Sequence, residues 1–368
     1  MYTGQPLDRF ARQIMDRAER REDYLAPATS LQVEARDGDV VATMDTDRGA
    51  LAVVPNSIAH QQLAGYTPLP KTYYDVCREQ HPELLARELN TWLADKPKPR
   101  LFRTLRNDGG AHTLDAFLSD RYRPLDYAAL AEQVLPVVAD LDVEILGCEV
   151  TDRRLYIKAV DKRIQRDIPA GRKMGDGTHT IFRTNSPAIV ISNSDVGMGA
   201  LSVETSIYDH VCTNMAIFSQ RSLRKYHVGG ILGNAGDSVA ALLSDDTRKK
   251  TDEAVWLQVR DIVGAAFDEA KFEAEIERIA ATVDDKIDGD INKTISNVAK
   301  RFALTEGTGN NLLKHLIEGG ELNRFGVYNA VTRTAEDQGD MDAATDLERI
   351  GGKILDLTPS EWKELVAA

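Results

Sequence analysis

Three pairs of short segments in the first 160 residues alternate apolar and polar side chains around a turn, and this pattern constrains the fold more than any other feature. Residues 31–35 and 40–44 flank Asp37-Gly38-Asp39, residues 100–106 and 113–118 flank Asn107-Asp108-Gly109-Gly110, and residues 143–150 and 154–160 flank Thr151-Asp152-Arg153. A side-chain period of two, broken by Gly, Asn or Asp, predicts β-hairpins. Residues 48–54 read as one more short strand. Helices are predicted over 5–24, from Pro55 to about residue 63 with Gly65 closing it, over 73–94 with a restart at Pro82, and over 127–140. A rhythm of hairpin, helix, hairpin, helix, hairpin suits an antiparallel or mixed sheet, because a doubly wound parallel sheet alternates single strands with helices.

Beyond Gly236 the pattern changes. Val255, Leu257, Val259, Ile262, Val263, Phe267, Phe272, Ile276 and Ile279 recur at mostly three- and four-residue spacings, which predicts a long helical region to about residue 283. Further helices are predicted over 287–304, 311–318, 322–336 and 341–355. A last one starts at Thr358, with Pro359 at the first helical position and Glu361 placed for a capping box. The expected fold class is therefore α+β: a mixed or antiparallel sheet domain with helices over 1–235, then a mostly α-helical domain over 236–368. Charge divides the same way, since of the net −13 a share of −11 lies in residues 231–368.

Several classes drop out on composition. The three cysteines, Cys77, Cys148 and Cys212, are widely spaced with no CxxC pair, which argues for a reducing compartment and against a disulfide framework or zinc finger. The seven histidines show neither HxxxH nor HExxH spacing, so no metal and no cofactor are expected. The start of the chain reads as lacking a signal peptide, and no run approaches the ~18 apolar residues of a membrane span. A soluble protein of the host cytoplasm is the expectation.

Reactive side chains concentrate in one stretch, residues 187–230. An apolar strand over 188–193 leads into Asn193-Ser194-Asp195-Val196-Gly197-Met198-Gly199, where glycines would let backbone N–H groups approach a phosphate. A strand over 200–204 follows, then a helix predicted from Thr205 or Ser206 carrying Asp209, His210, Cys212 and Asn214. On that helix His210 and Cys212 would point about 200° apart and could not pair, so a nucleophilic site would need Asp195, Cys212, Asn214 and His227 to converge in space. Upstream, residues 151–183 hold nine basic against four acidic residues, and 164–186 read as a loop. Strand-borne Arg154 and Lys158, with Lys162, Arg163, Arg166, Arg172 and Lys173, could track a nucleic-acid backbone, with Tyr156 and Phe182 as stacking surfaces. Arg221, Arg224 and Lys225 extend this set. Lys96-Pro97-Lys98-Pro99 reads as a linker, because two prolines in four residues cannot continue a helix.

The runs NSDVGMGALSVETSIYDHVCTN and LSDRYRPLDYAAL, with Arg224-Lys225-Tyr226-His227 and GVYNAVTRTAED, resemble as an ordered set the phage- and plasmid-borne family called domain of unknown function 932. The resemblance spans about residues 40–350. It implies a mobile-element setting, often beside DNA-metabolism genes, and gives no reaction. It puts Asp195, Gly197, Cys212, Asn214 and His227 on the family's motif positions, while Met215 stands where the family commonly has Gly. The hairpin–helix rhythm is also loosely similar to phage single-strand annealing proteins of the Red-beta type, an analogy at fold level alone.

The expected function is single-stranded DNA binding or annealing in recombination, without catalysis, by a homo-oligomer whose acidic C-terminal domain meets subunits or a basic protein partner. The alternatives are an enzyme acting on a nucleotide or other phosphate-bearing substrate at Asp195, Cys212 and His227, and a virion or host-interaction protein.

Overall fold

The computed structural model describes residues 5–173, 180–210, 214–225 and 245–367. Among these the chain is α+β, with two sheets followed by helices. The first sheet holds β1 (Arg21–Pro27), β2 (Leu31–Arg36), β3 (Asp39–Thr46), β4 (Gly49–Pro55), β5 (Pro99–Arg106) and β6 (His112–Ser119), in the order β1-β5-β6-β4-β3-β2. All its pairings are antiparallel except β4 with β6. The β2–β3 hairpin closes on Asp37 and Gly38, whose φ values of 53° and 84° are those a two-residue type I′ turn demands. The parallel pair arises because α2 (Ser57–Tyr66), α3 (Lys71–Gln80) and α4 (Pro82–Asp95) carry the chain from β4 across one face before β5 and β6 return. Leu31, Val33, Met44, Phe102 and Leu114 from the strands pack there against Leu63, Tyr74, Leu85 and Leu89.

One strand was not visible in the pattern. The first helix, α1 (Leu7–Arg20), ends at Arg20, and the charged run after it is edge strand β1, paired with β5 along Arg21–Pro27.

The second sheet contains β7 (Glu144–Val150), β8 (Leu155–Val160), β9 (Arg166–Lys173), β10 (Thr180–Asn193), β11 (Leu201–Asp209) and β12 (Asn214–Lys225), with the path β12-β11-β10-β8-β7. Strand β10 is long enough to pair with β8 along its second half and β9 along its first. Two expectations are corrected here. Residues 164–186 are largely strand instead of loop, and the helix expected from Thr205 is the rest of β11, followed by β12. For β11 and β12 the physical reason is burial on both faces, whereas Asp167, Pro169 and Phe182 of the 164–186 segment are exposed. Leu130, Val134 and Val138 of α5 (Tyr127–Asp140), with α1 and α6 (Asp245–Ala265), cover Ile157, Ile189, Ile191 and Val203. The opposite face packs Tyr156, Val190, Tyr208 and Ile217 around Met341. A strand covered twice loses the alternation that identifies a half-buried one.

The remaining helices are α7 (Glu269–Ala280), α8 (Ile291–Arg301), α9 (Glu306–Gly319), α10 (Arg324–Glu336), α11 (Met341–Leu355) and α12 (Pro359–Val366). The capping box expected at Thr358 and Glu361 is present. These helices share a core with the second sheet: Ile207, Ala216 and Phe218 pack with Phe325, Tyr328 and Leu347. Contact is closest at Gly352, where an added Cβ would lie 2.0 Å from the Ile217 carbonyl oxygen. The boundary expected near residue 235 therefore falls between elements that bury one another. Residues 237–243 lie outside the described residues, and among those described no helix is long and apolar enough to cross a membrane.

Candidate nucleic-acid interface

The Asn193–Gly199 turn joins β10 to β11 where the second sheet meets the first, and its polar groups are taken up internally. Asn193 Nδ2 donates to the Leu125 carbonyl at 2.5 Å, Ser194 Oγ to that of Arg153 at 2.7 Å, and Gln62 Nε2 to that of Val196 at 2.8 Å. Tyr122 OH donates to the Ser194 carbonyl and accepts the Gly197 N–H, while Ser194 Oγ accepts the Met198 N–H. With those N–H groups occupied, the turn does not offer them as a phosphate cradle.

The Asp195 side chain is buried. Its carboxylate lies 3.1 Å from Arg21 and 4.0 Å from Arg17, both of which also pair with buried Asp115. Arg103 donates to the Asp195 carbonyl at 2.6 Å and pairs with Asp23 and Asp126. Burial alone would disfavour the Arg103 charge, but Asp23, Asp195 and Asp126 together hold its pKa above the usual value. Burial likewise pushes the hydroxyl of Tyr127, beside Asp195, far up. The network ties α1, β1, β5 and the turn together, the arrangement expected when buried charges are compensated.

Of the nucleophilic constellation, the structure does not bring Asp195 and Asn214 together. Asn214 opens β12 opposite Asp209, at the far end of β11 from Leu201, which puts it roughly 25 Å of strand away from the Asp195 turn. Cys212 and His227 lie outside the described residues. His210 follows a strand, with its Nε2 2.8 Å from Ser186 Oγ, and burial, then Lys162, lowers its pKa. Ser186 is fully buried, while His210 is half-buried.

The basic island is also used internally. Lys158 is fully buried, 2.5 Å from Glu348 of α11, and cannot touch a nucleic acid. Arg154 clamps the Met198 carbonyl at 2.9 Å against Gly199. Lys162 pairs with Glu144 at 2.8 Å, Arg163 with Asp161 at 2.7 Å, and Arg166 with Glu269 at 2.7 Å and Glu273 at 3.3 Å. Spacing along the chain showed where the cations were, but not that α7 and α11 would bring carboxylates to them. Arg172 and Lys173 belong to β9, and Arg221, Arg224 and Lys225 to β12, with side chains outside those described.

Cations without a carboxylate partner among the described residues occur in the segment that reads as a linker. Lys96, Lys98 and Arg100 border a cleft of about 450 Å³ with Gln62, Tyr66 and Phe117. Two prolines stiffen the segment, the Lys98 N–H donates to the Lys96 carbonyl at 2.7 Å, and the Lys98 carbonyl accepts from Ala28. Tyr66 OH donates to the Lys96 carbonyl. The Lys96 ammonium lies 5.7 Å from the Tyr66 ring and 5.8 Å from the Trp92 ring. The Arg100 guanidinium lies 4.3 Å from Tyr66 and 5.3 Å from Phe117, and its buried Nε has no hydrogen-bond partner. Ring contacts orient these cations without neutralising them, so they are available to an anion. The sequence signal was three cations in five residues. The aromatic half of the cleft comes from α2 and β6 and has no sequence signal.

Among the described residues no group of His, Cys, Asp and Glu could hold a metal ion. No family model, no curated protein and no solved structure matches the chain. The resemblance to the phage and plasmid family rests on its motifs alone.

Proposed function

We propose that this protein binds single-stranded nucleic acid, without acting on it chemically, through the Lys96–Arg100 cleft. One observation carries the reading: three cations with no carboxylate partner among the described residues share a cleft with Tyr66 and Phe117. Cations that follow the backbone, together with aromatic side chains, are the elements of sequence-tolerant single-strand binding. Because the chain as a whole carries −13, such binding would be local to the cleft. Annealing of complementary strands is the use that the phage and plasmid resemblance suggests.

The test is fluorescence anisotropy with a labelled single-stranded oligonucleotide. Three phosphate contacts on a single strand give a log–log salt slope of about −2, so affinity should fall about 80-fold between about 25 and 200 mM salt. The triple variant K96E/K98E/R100E should lose binding at low salt while melting near the wild-type temperature. Absence of binding at low salt, or full affinity in that variant, would sink the proposal.

A further inference from the structure

A second hollow, of about 310 Å³, lies against the last turn of α2, lined by Gln61, Ala64, Thr67, Pro68 and Leu69, and Gly65 lines both it and the basic cleft. The two hollows differ in chemistry. Among the described residues the only cation lining the second is Lys71, paired with Asp75 at 2.7 Å, against three cations without a carboxylate partner in the first. What it offers is apolar surface from Ala64, Pro68 and Leu69, and the exposed Gln61 amide, which can both donate and accept. Apolar surface with one two-way hydrogen-bonding group suits a nucleobase. The shared lining residue has no side chain, and a Cβ built on Gly65 would meet nothing within 4 Å.

Resting on the binding function proposed above, we infer that one nucleotide unit straddles Gly65, its phosphate being one of those that Lys96, Lys98 and Arg100 hold along the strand and its unpaired base lying in the Ala64–Leu69 hollow. A paired base is held inside a duplex and cannot enter, so the arrangement selects single strands by their free bases as well as by charge.

The experiment compares a thymidine oligonucleotide with an abasic oligonucleotide of equal length, by anisotropy at low salt. The wild type should prefer the base-bearing strand by about tenfold, the effect of seating one base. Gly65→Leu extends a side chain from a helical position with ordinary φ and should abolish the preference. Gly65→Ala, which adds one methyl group, should keep part of the preference and covers the case in which the leucine variant does not fold. Equal binding of the two strands by the wild type, with K96E/K98E/R100E still losing both, would refute the base seat and leave the phosphate cleft standing. A preference that survives Gly65→Leu would refute it too, and no binding of either strand would remove the underlying proposal.

Discussion

Replacing Lys158 by Met should destabilise the protein by about 3–5 kcal/mol, the usual cost of leaving one member of a buried ion pair alone. Lys158 and Glu348 are at most 1% exposed and 2.5 Å apart, in a layer between β8, β11 and α11 that also holds Arg349 on Glu204 at 2.7 Å and Tyr156 on Asp342 at 2.7 Å. At an effective dielectric of about 20 the gross attraction of two charges at such contact is roughly 6–7 kcal/mol, most of it offset by the desolvation of both groups. Removing only the ammonium forfeits the attraction while the desolvated carboxylate remains. Removing both, as Lys158→Met with Glu348→Leu, should therefore come back to within about 2 kcal/mol of the wild type. Urea unfolding followed by tryptophan fluorescence is the assay. With a slope of about 3 kcal/mol per molar, the single variant should shift the midpoint by about 1 M or more. A single variant costing under about 1 kcal/mol, or a double variant no better than the single, would refute the reasoning that the helices and the second sheet enclose this pair in one dry interior.

Three further perturbations follow from the packing. Burial, then Arg78, lowers the His60 pKa to about 4, and its Nδ1 lies 2.9 Å from Tyr74 OH. The unfolded state then binds the extra proton, so stability is full above about pH 6.5, declines as pH falls and levels off below about 4, by about 3 kcal/mol in all, and His60→Gln should remove that component in urea titrations across this range. Gly352→Ala should cost at least about 1–3 kcal/mol by thermal unfolding, because its methyl group would be forced against the Ile217 carbonyl. Thr358→Ala breaks the capping box and should cost about 1 kcal/mol, read as faster amide exchange confined to α12.

Legibility along the chain followed burial. The helix over Tyr127–Asp140 and the one over Met341–Leu355 were readable to the residue, since apolar residues recur in each at three- and four-residue spacings. The hairpins around Asp37-Gly38 and Asn107–Gly110 were readable because their turns need residues that tolerate positive φ. The second half of β11 was misread because Ser206, Ile207, Tyr208 and Asp209 are all buried, which leaves no alternation to mark a strand. A buried Glu204 looks like a solvated position until Arg349 is seen against it.

The sequence by itself determined the fold class, the hairpin turns, the helix caps and the acidic balance of the C-terminal part, because each depends on neighbours within a few residues. Only the tertiary structure decided which cations are spoken for. Lys158 and Arg166 meet carboxylates more than a hundred residues away, while Lys96 and Arg100 meet aromatic rings instead. Pairing of charges is a property of distance in space, and the spacing of residues along a chain does not encode it.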